Sequence, residues 1–248
     1  TTLASALARL AGLHFQRIQF TNDMLASDVI GINIFNQKEH LFEFKKGPIF
    51  TQILLADEIN RCSPKTQSAL LEAMEEGAVT VDGTHYELPQ PFWVLATQNP
   101  LFQSGTYALP ESQLDRFLMR LSLGYPSRQA EKLLLQQSSR QVLIHQLEAV
   151  FTQVDILQLR ELAKQVFLSD AVLNYILDLA AETRKQRHGL STRGVLALKA
   201  AAQAYALVEG RSFVTTDDVQ TVFVAVVAHR LSLGEVEVKQ ILQSVDVL

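Results

Sequence analysis

A single cysteine, Cys62, stands among 248 residues, so no disulfide framework holds this chain together and the usage fits a reducing compartment. Placed just after an apolar run, it reads as a small apolar filler. The six histidines (His14, His40, His85, His145, His188, His229) show no HExxH or paired-ligand spacing, which argues against a metal centre built from them. Long hydrophobic runs are missing too. None approaches the roughly 18 residues a bilayer span needs, and no signal-peptide pattern opens the chain, so the expectation is a soluble, cytoplasmic protein without a membrane span. An excess of basic charge is also lacking. Net charge is −4; residues 1–126 hold 9 basic and 13 acidic side chains, and residues 127–248 hold 13 of each. Neither half carries the basic footprint of a nucleic-acid binder. Internal repeats and low-complexity segments are absent.

What is there is an ordinary globular composition, 48% hydrophobic and 19% charged, long enough for one large or two modest domains. The opening "TTLASALARL" sets Leu3, Ala6, Leu7 and Leu10 at i, i+3, i+4 and i+7. This predicts a helix that buries its leucine stripe, yet nothing before Thr1 supplies a cap. "FQRIQF" (15–20) and "MRLSL" (119–123) alternate, while "ILLA" (53–56) and "FWVLA" (92–96) are continuous apolar runs. These predict strands, the continuous ones buried on both faces of a parallel sheet. Residues 63–77, "SPKTQSALLEAMEEG", predict a helix with Pro64 in its first turn and Gly77 as its stop. Residues 79–88 carry Asp82-Gly83 between two alternating runs, a hairpin signal, and residues 21–46 form a second insertion with strand and turn character.

After Pro126 the texture becomes helical, over 127–138, 154–167, 169–186, 191–210 and 215–231. The expected architecture is a three-layer α/β core with a parallel sheet over residues 1–126, interrupted by the hairpin insertion at 79–88, followed by an all-α domain over 127–248.

Chemistry concentrates at strand ends. "ILLADEIN" puts Asp57 and Glu58 at the carboxyl end of a hydrophobic strand, where open parallel sheets bind ligands. Successive strand residues face opposite ways, so one acid can hold a magnesium-bound water while the other reaches an attacking water; an acid pair capping the next helix is the plainer alternative. "FWVLATQNP" ends with Thr97, Gln98 and Asn99, whose amides could orient a water or a phosphate. "LPESQLDRFLMR" supplies Arg116 and Arg120, and "GLSTRG" supplies Arg193. Their permanent charge and planar fork suit phosphoryl oxygens, although an intra-domain salt bridge would explain them equally well.

Taken in order, these strings resemble the MoxR family of AAA+ ATPases. "ILLADEINRCSPKTQSALLEAMEEGAVTVDG" is similar to a Walker B segment with its helix and hairpin. "PFWVLATQNP" resembles a sensor 1 strand, "GTYALPESQLDRFLMR" an arginine-finger segment, and "GLSTRG" a sensor 2 motif. The likeness spans about residues 15–230. It implies a P-loop NTPase fold with a helical lid, ATP and Mg2+ as cofactors, Asp57 as the acid that organises magnesium, Glu58 as general base and Asn99 as sensor 1. It also implies Arg116 as a finger reaching the neighbouring subunit's nucleotide, Arg120 as the alternative finger, and Arg193 as sensor 2. Residues 79–88 and 21–46 resemble the pre-sensor-1 and helix-2 insertions. By resemblance the protein is a homo-hexameric remodelling ATPase working with a von Willebrand factor A domain protein.

The family's phosphate loop, GxxxxGK[ST], is not found; "KKG" at 45–47 runs in the wrong order. In such relatives the loop's Gly-Lys leads into threonines and "LA", matching "TTLA". The expectation is therefore a loop immediately before Thr1, with Thr1 as the magnesium-binding hydroxyl and Thr2 also at the nucleotide. A nucleic-acid motor using the hairpin as a lumen probe is the alternative function, disfavoured because residues 79–88 offer only His85 as a cation beside Asp82 and Glu87.

Overall fold

In the computed structural model, which describes residues 1–98, 105–136, 144, 146–185 and 189–247, two compact units form. One comprises Thr1–Leu109 and Tyr125–Ile156, the other Pro110–Gly124 and Leu157–Leu248.

The first unit runs α1 (Thr2–Leu10), β1 (Phe15–Gln19), α2 (Ala26–Ile30), β2 (Gly31–Asn36), β3 (Leu41–Lys46), β4 (Ile53–Asp57), a 3₁₀ turn (Ile59–Arg61), α3 (Pro64–Glu76), β5 (Ala78–Val81), β6 (Thr84–Glu87) and β7 (Trp93–Ala96). Strands β1, β4 and β7 make a parallel sheet with β4 in the middle. The continuous apolar run explains that place: Ile53, Leu54, Leu55 and Ala56 are all buried, as a strand flanked on both edges and covered on both faces must be. The isoleucine and the two leucines each contribute about 1.5–3 kcal/mol on full burial. Phe15, Ile53, Trp93 and Leu95 pack with Ala8, Ala11 and Leu13 on one face. With a side-chain period of two, Arg17 and Asp57 continue that same face toward the carboxyl ends of the strands.

Helix α1 forms as expected but buries a different stripe. Ala4, Ala8 and Ala11 face inward, while Leu3 is 63% and Leu7 43% exposed. Alanines let the helix axis come close to the sheet, and the leucines are thereby turned out. Helix α3 matches its signals, with the Ser63 hydroxyl accepting the Thr66 N–H at 3.3 Å and Gly77 closing it. Strands β5 and β6 pair around Asp82 (φ 48°) and Gly83 (φ 80°), two positive-φ positions as a primed turn demands. The 21–46 insertion is α2 plus the antiparallel pair β2–β3, and Phe44 of β3 stacks on Tyr86 of β6 with ring centroids 4.0 Å apart.

Strand character at 119–123 is not found. These residues have no ladder, Leu121 and Leu123 are 70% and 80% exposed, and the Arg120 N–H donates to a helix carbonyl, Ala225 O, at 2.8 Å. Alternation marks a strand only where a partner strand accepts its ladder.

A short helix α4 (Glu111–Leu114) opens the second unit and α5 (Arg128–Gln136) lies in the first. The second unit then gathers most of α6 (Gln153–Gln165), with α7 (Asp170–Thr183), α8 (Thr192–Val208), α9 (Thr216–Leu231) and α10 (Glu235–Gln243). Tyr175, Leu179, Leu198, Phe223, Val227 and Val238 belong to its core. Helix α10 is not among the expected helices; Gly234 is its N-cap, and it buries Val238 and Ile241. The units interleave around residue 126. Segment 110–124 joins the helices through Asp115, Phe117 and Leu118, all bonded by Arg230, and 125–156 joins the first unit through Val150 and Phe151, whose N–H groups donate to Leu10 O at the end of α1. Among the described residues no helix is long and apolar enough to cross a membrane.

Candidate nucleotide site and arginine segment

Asp57 ends β4 with its side chain 15% exposed. One carboxylate oxygen, Oδ2, accepts from Arg17 Nε at 3.0 Å and Nη2 at 2.7 Å; Oδ1 accepts from the Thr97 hydroxyl at 2.5 Å. Burial pushes this carboxyl up, but the Thr97 and Arg17 hydrogen bonds and the Arg17 charge outweigh it and hold Asp57 below its ordinary value. It is ionised at neutral pH.

Glu58, next in line, is a non-glycine residue in the left-handed region (φ 57°, ψ 46°). Such a conformation costs about 1–3 kcal/mol and persists only where neighbours over-determine it. Here they do. The Glu58 N–H donates to Thr97 Oγ1 at 2.9 Å, the Ile59 N–H to Thr97 O at 3.0 Å, and Ile59 and Asn60 are fully buried. Its carboxylate pairs with Arg61 Nη1 at 3.1 Å. One side chain, Thr97, thus touches both acids from the neighbouring strand's end. Gln98 follows it, exposed; Asn99 lies outside the described residues.

Thr1 and Thr2 are exposed at the start of α1. Thr1 occupies the N-cap position, its hydroxyl makes no capping bond, and its carbonyl accepts the Ser5 N–H at 3.0 Å. Cys62 is buried, its thiol donates to Ile59 O and burial pushes its pKa up to about 11; it fills space, as its sequence position suggested.

In the second unit Arg116 is half-buried, while Arg120 and Arg193 are exposed. Asp115, beside Arg116, accepts from Arg230 Nε at 2.9 Å and from the Ser191 hydroxyl at 2.8 Å. Ser191 also caps α8, taking the Gly194 N–H at 3.0 Å, and Arg193 sits in that helix's first turn. The arginine segment and the start of α8 therefore meet through Asp115 and Ser191.

Sequence reasoning missed Arg17, Asp115, Ser191 and Arg230. Arg17 could have been placed from the alternation of "FQRIQF" only with the register in hand, since the pairing Gln19↔Asp57 is what brings it to the acid. Arg230 carries no local signal, being an arginine in an apolar helix.

No cluster of three or more His, Cys, Asp or Glu that could hold a metal is found among the described residues. An ionised carboxylate with a hydroxyl as its neighbour does suit Mg2+, a hard cation that takes one or two protein oxygens and fills its remaining positions with water and phosphate.

A family model described as the ATPase family associated with various cellular activities (AAA) matches residues 1–119, and one for the AAA lid domain matches residues 179–246. Together with the parallel sheet and its helices they define an α/β P-loop NTPase fold with a helical lid. The chain is 48% identical over 236 residues to the uncharacterized protein YeaC of Bacillus subtilis, covering 94% of this chain and 74% of that one. It is 39% identical over 245 residues to the chaperone MoxR1 of Mycobacterium tuberculosis, covering 94% and 64%. A crystal structure from Cytophaga hutchinsonii, of a protein assigned as an ATPase, superposes with a TM-score of 0.89 at 37% identity, covering 100% of this chain and 82% of that one. The chain belongs to the MoxR family of AAA+ ATPases.

Proposed function

We propose that this chain hydrolyses ATP as a subunit of a ring, with Glu58 as the general base and Arg116 as a finger acting in trans. The observation that carries the reading is the Thr97 bridge, which holds an ionised Asp57 and a backbone-strained Glu58 side by side at the carboxyl end of the sheet. Paired acids fixed in this way divide the work. Asp57, with the Thr1 hydroxyl, would hold Mg2+, and the ion when bound neutralises charge on the phosphates. Glu58 takes a proton from the attacking water; to do so its carboxylate leaves Arg61. Asn99 orients that water, Thr2 and Arg193 bind nucleotide, and Arg116 meets charge that develops on the γ-phosphate of the adjacent subunit. Arg120 is the alternative finger.

A finger in trans makes hydrolysis depend on assembly, for which a homo-hexameric ring is the expected form. Such a ring in the cytoplasm would remodel client proteins together with a von Willebrand factor A domain partner. The relative named chaperone MoxR1 supports the chaperone reading. Residues 1–126 as catalytic core and 127–248 as lid remain the working division of labour.

The test is Glu58→Gln in the complete gene product. It is expected to bind ATP normally and hydrolyse it at least about 10²-fold more slowly; unchanged turnover would refute Glu58 as the base.

A further inference from the structure

One buried arginine holds the arginine segment from behind. Arg230 lies in α9 with its side chain 3% exposed. Its Nε donates to Asp115 Oδ1 at 2.9 Å, its Nη2 to Phe117 O at 2.7 Å and Asp115 O at 3.4 Å, and its Nη1 to Leu118 O at 3.0 Å and to Val226 O. Carbonyls on both sides of Arg116 are therefore taken by a single guanidinium. His229 adds a contact to Phe117 O at 3.1 Å, and the Arg120 N–H is pinned to Ala225 O.

A guanidinium is tolerated in a core only when its donors are met. These are met mainly by the backbone of a segment with one helical turn, α4, and no ladder beyond it. Arg230 supplies the hydrogen bonds that segment 115–118 cannot make for itself. Helix α8 packs closely on its stem: a Cβ on Gly194 would lie 3.1 Å from Arg230 Cδ and 2.4 Å from Leu190 Cδ1. Lysine would not replace it, since one ammonium cannot span a carboxylate and four carbonyls.

We propose that Arg230 is a positioning residue for Arg116, fixing the backbone of residues 115–118 so that the finger is presented to the neighbouring subunit. The proposal rests on the reading of Arg116 as a finger in trans. A displacement of about 1 Å in such a group costs about 10²-fold in rate, so Arg230→Lys is expected to bind a fluorescent ATP analogue like the wild type and hydrolyse ATP about 10²-fold more slowly.

Mixed rings separate positioning from a general structural role. Co-expressed in equal amounts with Glu58→Gln, the Arg230→Lys subunit keeps its own base and borrows an intact finger from its neighbour; roughly a quarter of the sites in a random ring are so composed. Activity should rise well above that of either variant alone, as it should for the control pair Arg116→Ala with Glu58→Gln. Recovery in the control but not with Arg230→Lys overturns the proposal, and so does wild-type hydrolysis by Arg230→Lys alone. Failure of both pairs refutes the trans finger itself. Should Arg230→Lys fail to fold, Asp115→Asn, which removes the partner charge and keeps its shape, takes its place under the same criteria.

Discussion

The Thr97 hydroxyl stands between two neighbouring acids, donating to Asp57 Oδ1 at 2.5 Å and accepting the Glu58 backbone N–H at 2.9 Å. Thr97→Val, nearly the same in shape, removes both bonds at once. Leaving a partly buried carboxylate and an N–H without this partner should lower stability by about 1–3 kcal/mol. Hydrolysis should fall by about 10²-fold as the acids lose their alignment. Thr97→Ser should restore most of both, as read by thermal melting and steady-state ATPase assays.

Glu58 should show the opposite balance. Glycine adopts its left-handed backbone without penalty, so Glu58→Gly is expected to melt no lower than wild type, and up to about 1 kcal/mol more stable, while losing hydrolysis. A clear loss of stability would mean that the Arg61 pair, not strain, dominates there.

The choice between Arg116 and Arg120 can be decided by substitution. Arg116→Ala should lower hydrolysis by about 10³-fold or more and leave nucleotide binding intact, whereas Arg120→Ala should have a small effect. The reverse result would move the finger to Arg120. Activity indifferent to added DNA or RNA would in turn exclude the nucleic-acid motor.

His229 predicts an acid-sensitive helical unit. Burial above all, with the Phe117 carbonyl opposing it and the charges of Arg230 and Arg120 assisting, lowers its pKa from 6.5 to about 4. The folded protein holds it neutral while the unfolded chain takes up a proton below pH 6.5. Stability from this group is thus complete above pH 6.5 and is lost as pH falls toward about 4, by about 3 kcal/mol in all. Its Nδ1 is buried with no partner among the described residues, and His229→Gln, which does not titrate, should flatten denaturant midpoints across that window.

The Arg17–Asp57 pair, although short, lies beside a half-exposed Arg17 side chain. Its Asp57 partner is only 15% exposed, so Arg17→Met, which leaves that carboxylate oxygen without either of its two donors, should lower the melting midpoint through a stability loss of about 1–3 kcal/mol. Phe223, fully buried in the helical core, sets the contrast: Phe223→Ala should cost about 3–5 kcal/mol.

Much of this protein was legible from residue order because its signals are local. The buried strand Ile53–Asp57, the Ser63 and Gly77 helix ends and the Asp82-Gly83 turn depend on neighbours a few residues away, and period and capping chemistry specify them directly. The place of Asp57 and Glu58 at the end of that strand was legible in the same way, because they follow the apolar run directly. Tertiary structure alone decided which stripe of α1 is buried, because the close approach to the sheet favours alanine over leucine, and whether 119–123 finds a strand partner. It alone joined Arg17 to Asp57, Thr97 to both acids, and Arg230 to the carbonyls around Arg116. Those contacts span 39 to 115 residues of sequence, and they exist only once strand register and helix packing have brought distant backbone within hydrogen-bonding reach.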